Sequence, residues 1–412
     1  MQEQSGAAAR TRRTFAALAY PNYRLWFFGQ MTSLFGTWMQ STAQGYLVFE
    51  LTHSEVYLGY VGFASGIATW MFTLYGGVIA DRIPRRRLLV ITQSFSMLLA
   101  FTLSLLVFLR VVAPWHIILL AFGLGVVNAF DAPARQSFVL EMVDRPVLTN
   151  AIALNSTMFN TATAIGPAIG GLTYAAFGPG WCFALNGASF IAVIGALLAM
   201  RLQPAQASTS RGSAFADIRE GIHAVRVDKR IFAIICLLGC LSLFANAFSV
   251  LLPAWAVQVL GGDALTNGVL TSARGIGALL AALSIASLSH RLRKGRVMTI
   301  ASVVFPFTLV LFSVTRTLPL SLLALFGAGA ANILVVNLAN ALVQGMVPDA
   351  VRGRVMGIYM LSFFGFMPIG AILAGSIATA IGVPRTIAIG AVCFLVCSLV
   401  VILLVPSLRR RA

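Results

Sequence analysis

Apolar residues fill this chain in blocks about one bilayer thickness long, and short clusters of arginine and lysine separate the blocks. Charge-free stretches cover Leu25–Phe49, Val56–Ala80, Leu88–Leu109 and Val111–Phe130. Pro146–Met200 is also free of charge and long enough for two crossings, with Gly178-Pro179-Gly180 as the break between them. The second half repeats the plan over Ile231–Val259, Leu265–Leu288, Val297–Thr315, Leu318–Met346, Val355–Ile381 and Thr386–Leu408. A helix needs roughly 20 apolar residues to cross about 30 Å of hydrocarbon. The pattern therefore predicts an all-α integral membrane protein with twelve transmembrane helices, numbered here as spans one to twelve.

Composition agrees. The 412 residues are 59% hydrophobic and only 10% charged, where soluble domains carry about a quarter. The net charge of +17 changes the picture only through its placement. All but four of the 29 Lys and Arg fall at the two ends or in alternate loops that twelve spans put on one face. Arg110, Arg316 and Arg385 lie at the other face and Arg274 lies inside span eight. The positive-inside rule then predicts both termini in the cytoplasm. The basic excess is a topology signal and does not point to a nucleic-acid partner. The N-terminal segment has no short apolar region with a small-residue cleavage site, so no removable signal peptide is expected. Cys236/Cys240 and Cys393/Cys397 are spaced i, i+4 without histidine or carboxylate beside them, which predicts packing rather than a metal site.

Three regions follow: a six-helix half over 1–203, a linker over 204–230 and a second half over 231–412. In the linker, Phe215, Ile218, Ile222 and Val225 recur at helical spacing among Asp217, Arg219, Glu220 and Arg226. That pattern predicts an amphipathic helix lying on the membrane surface. Sliding the sequence by 209 places Asp81-Arg82 on His290-Arg291, and Pro167 and Pro368 fall in corresponding spans. The expectation is two pseudo-symmetric six-helix bundles around a central cavity.

Several motifs sharpen this. The loop after span two reads Gly77-Val-Ile-Ala-Asp81-Arg82-Ile-Pro84-Arg85-Arg86, and span five contains Gly166-Pro167-Ala-Ile-Gly170-Gly171. The first is similar to the loop signature of the major facilitator superfamily, with Pro84 in place of the usual second glycine. The second resembles the antiporter signature of that superfamily's exporters. Three further stretches resemble the bacterial group that contains the enterobactin exporter and the macrolide-efflux proteins. These are Pro21-Asn22-Tyr23-Arg24-Leu-Trp26 leading to Gly36-Thr-Trp38-Met39-Gln40, then Pro133-Ala-Arg135-Gln136, and Val347-Pro348-Asp349 with Arg352-Gly353-Arg354.

The resemblance implies an inner-membrane carrier with a cytoplasmic latch. In it Gly77 allows close approach of a neighbouring span, Asp81 caps a facing helix, Arg82 pairs with Asp131, and Arg85 and Arg86 support the loop; simple anchoring at the headgroups is the alternative. The Gly166, Pro167, Gly170 and Gly171 surface would rock against span eight. Spans one, four, seven and ten line the pathway in this superfamily. Their polar residues give a candidate cavity of Gln30, Gln40, Gln44, Asn128, Asn246, Asn332, Asn337 and Asn340, with Trp38 for apolar contact. Any one of these may equally be glue between helices.

Arg274 lies about ten residues into span eight, hence about 15 Å deep at 1.5 Å per residue. Such an arginine costs at least roughly 2.5–3.5 kcal/mol unless it meets water or a partner. It is either a substrate contact or a structural group bonded to carbonyls and amides. No acidic residue lies at matching depth in any span, which suits an anionic or neutral substrate. Asp131 and Glu50 are the candidate proton carriers. No cofactor is expected, since no Gly-rich loop with lysine is present. His53, His116, His223 and His290 are too scattered for an enzyme site. The reading is a monomeric, proton-coupled exporter of a bulky amphipathic small molecule, siderophore-like ahead of a lipophilic drug. A multidrug pump with no siderophore role and a metabolite importer remain as alternatives.

Overall fold

The computed structural model describes residues 15–201, 222–288 and 293–409, apart from the side chains of Leu74, Asp81, Leu288, Asp349, Ala350 and Arg409. The first six long helices are α1 (Pro21–Thr52), α2 (Glu55–Arg82), α3 (Arg85–Phe108), α4 (Pro114–Phe138), α5 (Leu148–Phe177) and α6 (Pro179–Ala199). Span seven, α7, covers Lys229–Val259. It is followed by α8 (Ala264–Leu288), α9 (Lys294–Val314), α10 (Leu318–Met346), α11 (Asp349–Ile381) and α12 (Val383–Leu404). Nine of these described helices are long and apolar enough to cross a membrane. The other three, α1, α2 and α5, are 32, 28 and 30 residues long. We call the end of the bundle where α1 begins and α12 finishes the basic face, and the other end the opposite face.

Local chemistry sets the boundaries. Proline opens α1, α4 and α6, where its missing N–H is one that the first turn leaves unpaired anyway. Gly178 between α5 and α6 has φ +85°, and Gly382 between α11 and α12 has φ +86°. Each lets one helix end and the next begin without an intervening loop, at corresponding places in the two groups of six. At the basic face, Asn22 donates to the Arg201 carbonyl at 2.9 Å and accepts from its N–H at 3.2 Å, joining the start of α1 to the end of α6. Tyr23 Oη donates to the Ala151 carbonyl at 2.8 Å, and Trp26 packs edge-on to Phe138. The Pro21–Trp26 stretch is therefore a structural clamp. Of the linker, residues 222–230 are described, and 222–227 is helical with Val225 buried. Phe215, Ile218 and the rest of the expected amphipathic helix lie outside the described residues. Asp228 caps α7 by accepting from the Arg230 N–H at 2.9 Å, and the Arg230 guanidinium beside it holds its carboxyl below the usual range.

Helices α1–α6 pack chiefly among themselves, as do α7–α12, and two crossings, α2 on α11 and α5 on α8, join the groups. Each crossing sets a proline against glycine. A Cβ on Gly66 of α2 would lie 2.5 Å from the Pro368 ring, and one on Gly268 of α8 would lie 2.5 Å from the Pro167 carbonyl. Further toward the opposite face, Gly59 meets the Ala371 carbonyl and Gly171 the Ala264 carbonyl, at 2.8 and 2.7 Å from the would-be Cβ. Backbones approach this closely only where side chains are absent. Toward the basic face no such contact is made at Gly77 of α2 or at Gly353 and Gly357 of α11, where a Cβ would meet nothing within 4 Å. The closest approaches between the two groups therefore lie toward the opposite face.

The glycine motif of α5 divides its work. Only Gly171 and the Pro167 carbonyl face α8, whereas Gly166 and Gly170 pack on Trp38 and Met39 of α1. The expected surface of three glycines against span eight is corrected accordingly. Pro167 has no N–H to give the preceding turn, and the nearby Ala168 N–H is bonded to Ser272 Oγ of α8 at 2.9 Å. Gly268→Val should lower thermal stability in detergent by about 1–3 kcal/mol through overpacking. Gly357→Val, with the same change in helix propensity, should leave the midpoint close to wild type; intrinsic-fluorescence melts compare the two.

Candidate functional site

Helix α7 is not a continuous α-helix. After Lys229–Cys240 it widens to π over Leu241–Ala245, tightens to 3-10 over Asn246–Leu251, is α over Leu252–Ala254 and widens again over Trp255–Val259. Pro253 contributes by removing one backbone donor from the ladder. The widened turn pushes the Leu243 and Phe244 carbonyls outward, and they fit because Gly370 of α11 and Gly390 of α12 have no side chains there. Broken helix at membrane depth is tolerated only where protein or a water-lined cavity satisfies it. π-bulges recur at functional sites. Nothing in the apolar pattern announces this break except Pro253.

The break carries the polar site. Asn246 sits at the step from π to 3-10, and its Oδ1 accepts from Asn332 Nδ2 of α10 at 2.6 Å. Two residues on, the Phe248 ring lies 5.9 Å from the Arg274 guanidinium carbon. Arg274 is partly exposed and forms no ion pair or hydrogen bond with a described side chain or backbone group. A stack on an aromatic face is worth about 0.5–2 kcal/mol and leaves all five N–H donors of the guanidinium unused. Across the bundle, Trp38 of α1 packs edge-on to Phe159 of α5 with centroids 5.8 Å apart.

The rest of the expected cavity set divides. Gln40 is buried and accepts from Asn186 of α6 at 2.6 Å, so it joins helices within the first group and is removed from the cavity. Asn340 accepts from Gln344, one turn on, at 2.6 Å. Asn337 is exposed and Asn128 half-buried. Gln30 and Gln44 are buried, Gln30 with its carbonyl oxygen unpartnered. The structure pairs Asn246 with Asn332 and sets Arg274 against Phe248, two residues along α7 from Asn246, and does not draw the glutamines of α1 to them.

The latch looks different from its expectation. Asp131 is 2% exposed and accepts from Thr92 Oγ1 and Gln93 Nε2 of α3, both at 2.8 Å, and from Arg135 one turn along. Arg82 is exposed and does not reach it. The expected Arg82–Asp131 pair is replaced because Arg135, four residues on, lies on the same face of α4. Arg85 instead pairs with Glu141 at 2.6 Å, and Arg86 donates to the Leu198 carbonyl of α6 at 2.7 Å. Gly77 faces open space; its neighbour Gly76 makes the tight contact, against Ala129 and Phe130 of α4. The Asp81 side chain lies outside the described residues. Glu50 is exposed near the end of α1, bonded by the Tyr174 hydroxyl. A carboxylate the sequence reading passed over, Glu55, is buried between the two groups of helices.

The profile of a family described as transmembrane secretion effector, within the major facilitator superfamily, matches residues 12–410. The chain belongs to that family. It is 27% identical over 374 residues to the staphyloferrin A transporter of Staphylococcus aureus, covering 88% of this chain and 91% of the relative. To the multidrug efflux pump Tap of Mycolicibacterium fortuitum it is 27% identical, over 87% and 90%. To the enterobactin exporter EntS of Citrobacter koseri it is 24% identical, over 95% and 93%. Its fold is that of a bacterial homologue of the lysosomal transporter Spinster, solved inward-facing and unoccupied, with a TM-score of 0.74, 14% identity and coverage of 95% and 98%. The chain is thus a multi-pass membrane transporter of the major facilitator superfamily, as the loop and span-five motifs implied. In this transporter the Asn246–Asn332 bond should show a coupling of about 0.6 kcal/mol in a double-mutant cycle of alanine variants followed by unfolding, the usual size for polar pairs in membranes.

Proposed function

We propose that this transporter exports a bulky amphipathic anion, siderophore-like in class, from the cytoplasm of a bacterial cell across its inner membrane. The reading is carried by Arg274: a guanidinium deep in α8, beside the broken α7, with no carboxylate to neutralise it. An uncompensated cation there favours a ligand that brings its own negative charge and hydrogen-bond acceptors. Asn246 and Asn332 supply further polar contact, and the half-buried Trp38 supplies apolar surface for the rest of the molecule. The kinship with siderophore transporters supports the class.

Transport is by alternating access. The regions 1–203 and 231–412 move against each other about the α2–α11 and α5–α8 crossings, with 204–230 as the tether. Both termini lie in the cytoplasm, so the basic face is the loading side. The protein works as a monomer in contact with membrane lipid. Protons drive the return step. Asp131 is the proposed carrier: a proton there would weaken its hold on Arg135, Thr92 and Gln93 and loosen α4 from α3. Glu50, at the opposite face, is the second proposed carrier. In the latch, Gly77, Asp81 and Arg82 engage α11 only after the basic face closes. A lipophilic drug is the second reading, favoured by the match to Tap.

Inside-out vesicles test this directly. Siderophore anions should accumulate when a pH gradient, acid inside, is imposed, and accumulation should vanish with a protonophore. Arg274→Ala should raise KM at least about tenfold, the loss of roughly 1.4 kcal/mol of charge-assisted binding, while Arg274→Lys keeps part of it. If neutral or cationic drugs are carried equally well by Arg274→Ala and wild type, the anion reading is wrong. Asp131→Asn should abolish the response to the gradient yet permit substrate exchange.

A further inference from the structure

Two charged side chains are buried among the described residues, Asp131 and Glu55. Asp131 is satisfied wholly inside the first group of helices, by α3 and by its own helix. Glu55 is not. It is the first residue of α2, 7% exposed, and its two oxygens are bound by different helices of the second group. Oε1 accepts from Gln258 Nε2, in the last widened turn of α7, at 2.6 Å. Oε2 lies 3.2 Å from Thr379 Oγ1 of α11, whose one hydrogen is shared between it and the Gly375 carbonyl at 3.1 Å. No arginine, lysine or histidine forms an ion pair with it among the described residues. The backbone is drawn in as well: a Cβ on Gly375 would lie 2.6 Å from the Glu55 carbonyl oxygen. All of this is at the opposite face, where Asn267 of α8 also donates to the Thr42 carbonyl of α1 at 3.5 Å.

We infer that Glu55 is the positioning residue that holds the opposite face shut. It ties α2 to α7 and α11 at once while the transporter is open to the basic face, and it must release both for the opposite face to open. A carboxylate suits the task. It accepts from both neutral donors with charge-assisted bonds, stronger than amide or hydroxyl pairs. It is also well hydrated once parted from them, so the closed and open states lie near enough in free energy to interchange. A glutamine could still accept from Gln258 and donate to the Thr379 hydroxyl, but without the charge both bonds would be weaker. An alanine would keep none. Because Gln258 ends α7, the tie reaches the same helix that carries Asn246.

The inference rests on the alternating-access reading, and its test is read as conformation with no substrate present. Val111 and Leu320 are exposed at the opposite face, one in each group, and take spin labels in a background with the five cysteines changed to alanine. A second pair at Val78 and Gly357 reports the basic face. Wild type should show a short opposite-face distance with a minor long one. Glu55→Ala should raise the long fraction at least about fivefold and shorten the basic-face distance. Glu55→Gln should fall between. Gln258→Leu and Thr379→Val should act in the same direction, and adding either to Glu55→Ala should change nothing further. These two also decide the matter if Glu55→Ala does not insert. Two populations in wild type that neither Glu55→Ala nor its partner variants alter would overturn the role of Glu55 and leave alternating access standing. A single fixed distance at both faces in every variant would overturn alternating access itself.

Discussion

The two groups of six helices are held to each other chiefly at two crossings in which a proline of one helix lies against glycine of another. Pro368 on Gly66 and Pro167 beside Gly268 bring backbones from the two groups of six within van der Waals contact. In lipid the hydrophobic effect does not press helices together, so association depends on such shape fit and on interhelical hydrogen bonds. The crossings provide the fit without fixing the angle. Proline also spoils one backbone bond in each helix, and Ser272 answers on the α5 side by accepting from Ala168. Two similar crossings on opposite sides of the bundle define an axis between them. Gly77, Gly353 and Gly357, toward the basic face, make no such contact, as the proposed rotation about that axis would have it.

The binding region grows from the same economy of side chains. Helix α7 departs from α geometry over most of its second half, and its extra carbonyls are housed by glycines on α11 and α12. That break places Asn246 at a backbone step, within reach of Asn332 and near the Phe248 ring that stacks on Arg274. The guanidinium is left with donors and no acceptor among the described groups, which is why the proposed cargo is an anion.

How much of this was legible in the sequence follows from what a bilayer hides. Span positions, the break at Gly178, the pairing of Pro167 with Pro368 and the family itself could be read, because length, charge and turn chemistry act along the chain. Facing could not. Lipid-facing and buried positions are both apolar here, so nothing marks Gly76 rather than Gly77 as the residue touching α4, or sends Gln40 toward Asn186 instead of the cavity. Arg82 was matched to Asp131 on family likeness, yet Arg135 holds the local advantage of a one-turn spacing. Glu55 escaped notice for a different reason. A charge at the end of a span is ordinary, and only its two partners from the other group, more than 200 residues away in sequence, distinguish it.

The glycine that accommodates the α7 bulge has a wider meaning. Gly370, against which the Leu243 carbonyl rests, is two residues from Pro368, the proline of the α2–α11 crossing. In the second group, then, the lining of the binding region and the bearing of the hinge are adjacent stretches of one helix. In the first group α1 runs unbroken from Pro21 to Thr52, but Gly166 and Gly170 on either side of Pro167 pack on its Trp38 and Met39. Both groups therefore set the proline of a crossing within a turn of contacts that shape the proposed cargo region. On that reading, cargo and rate of turnover would have to evolve together.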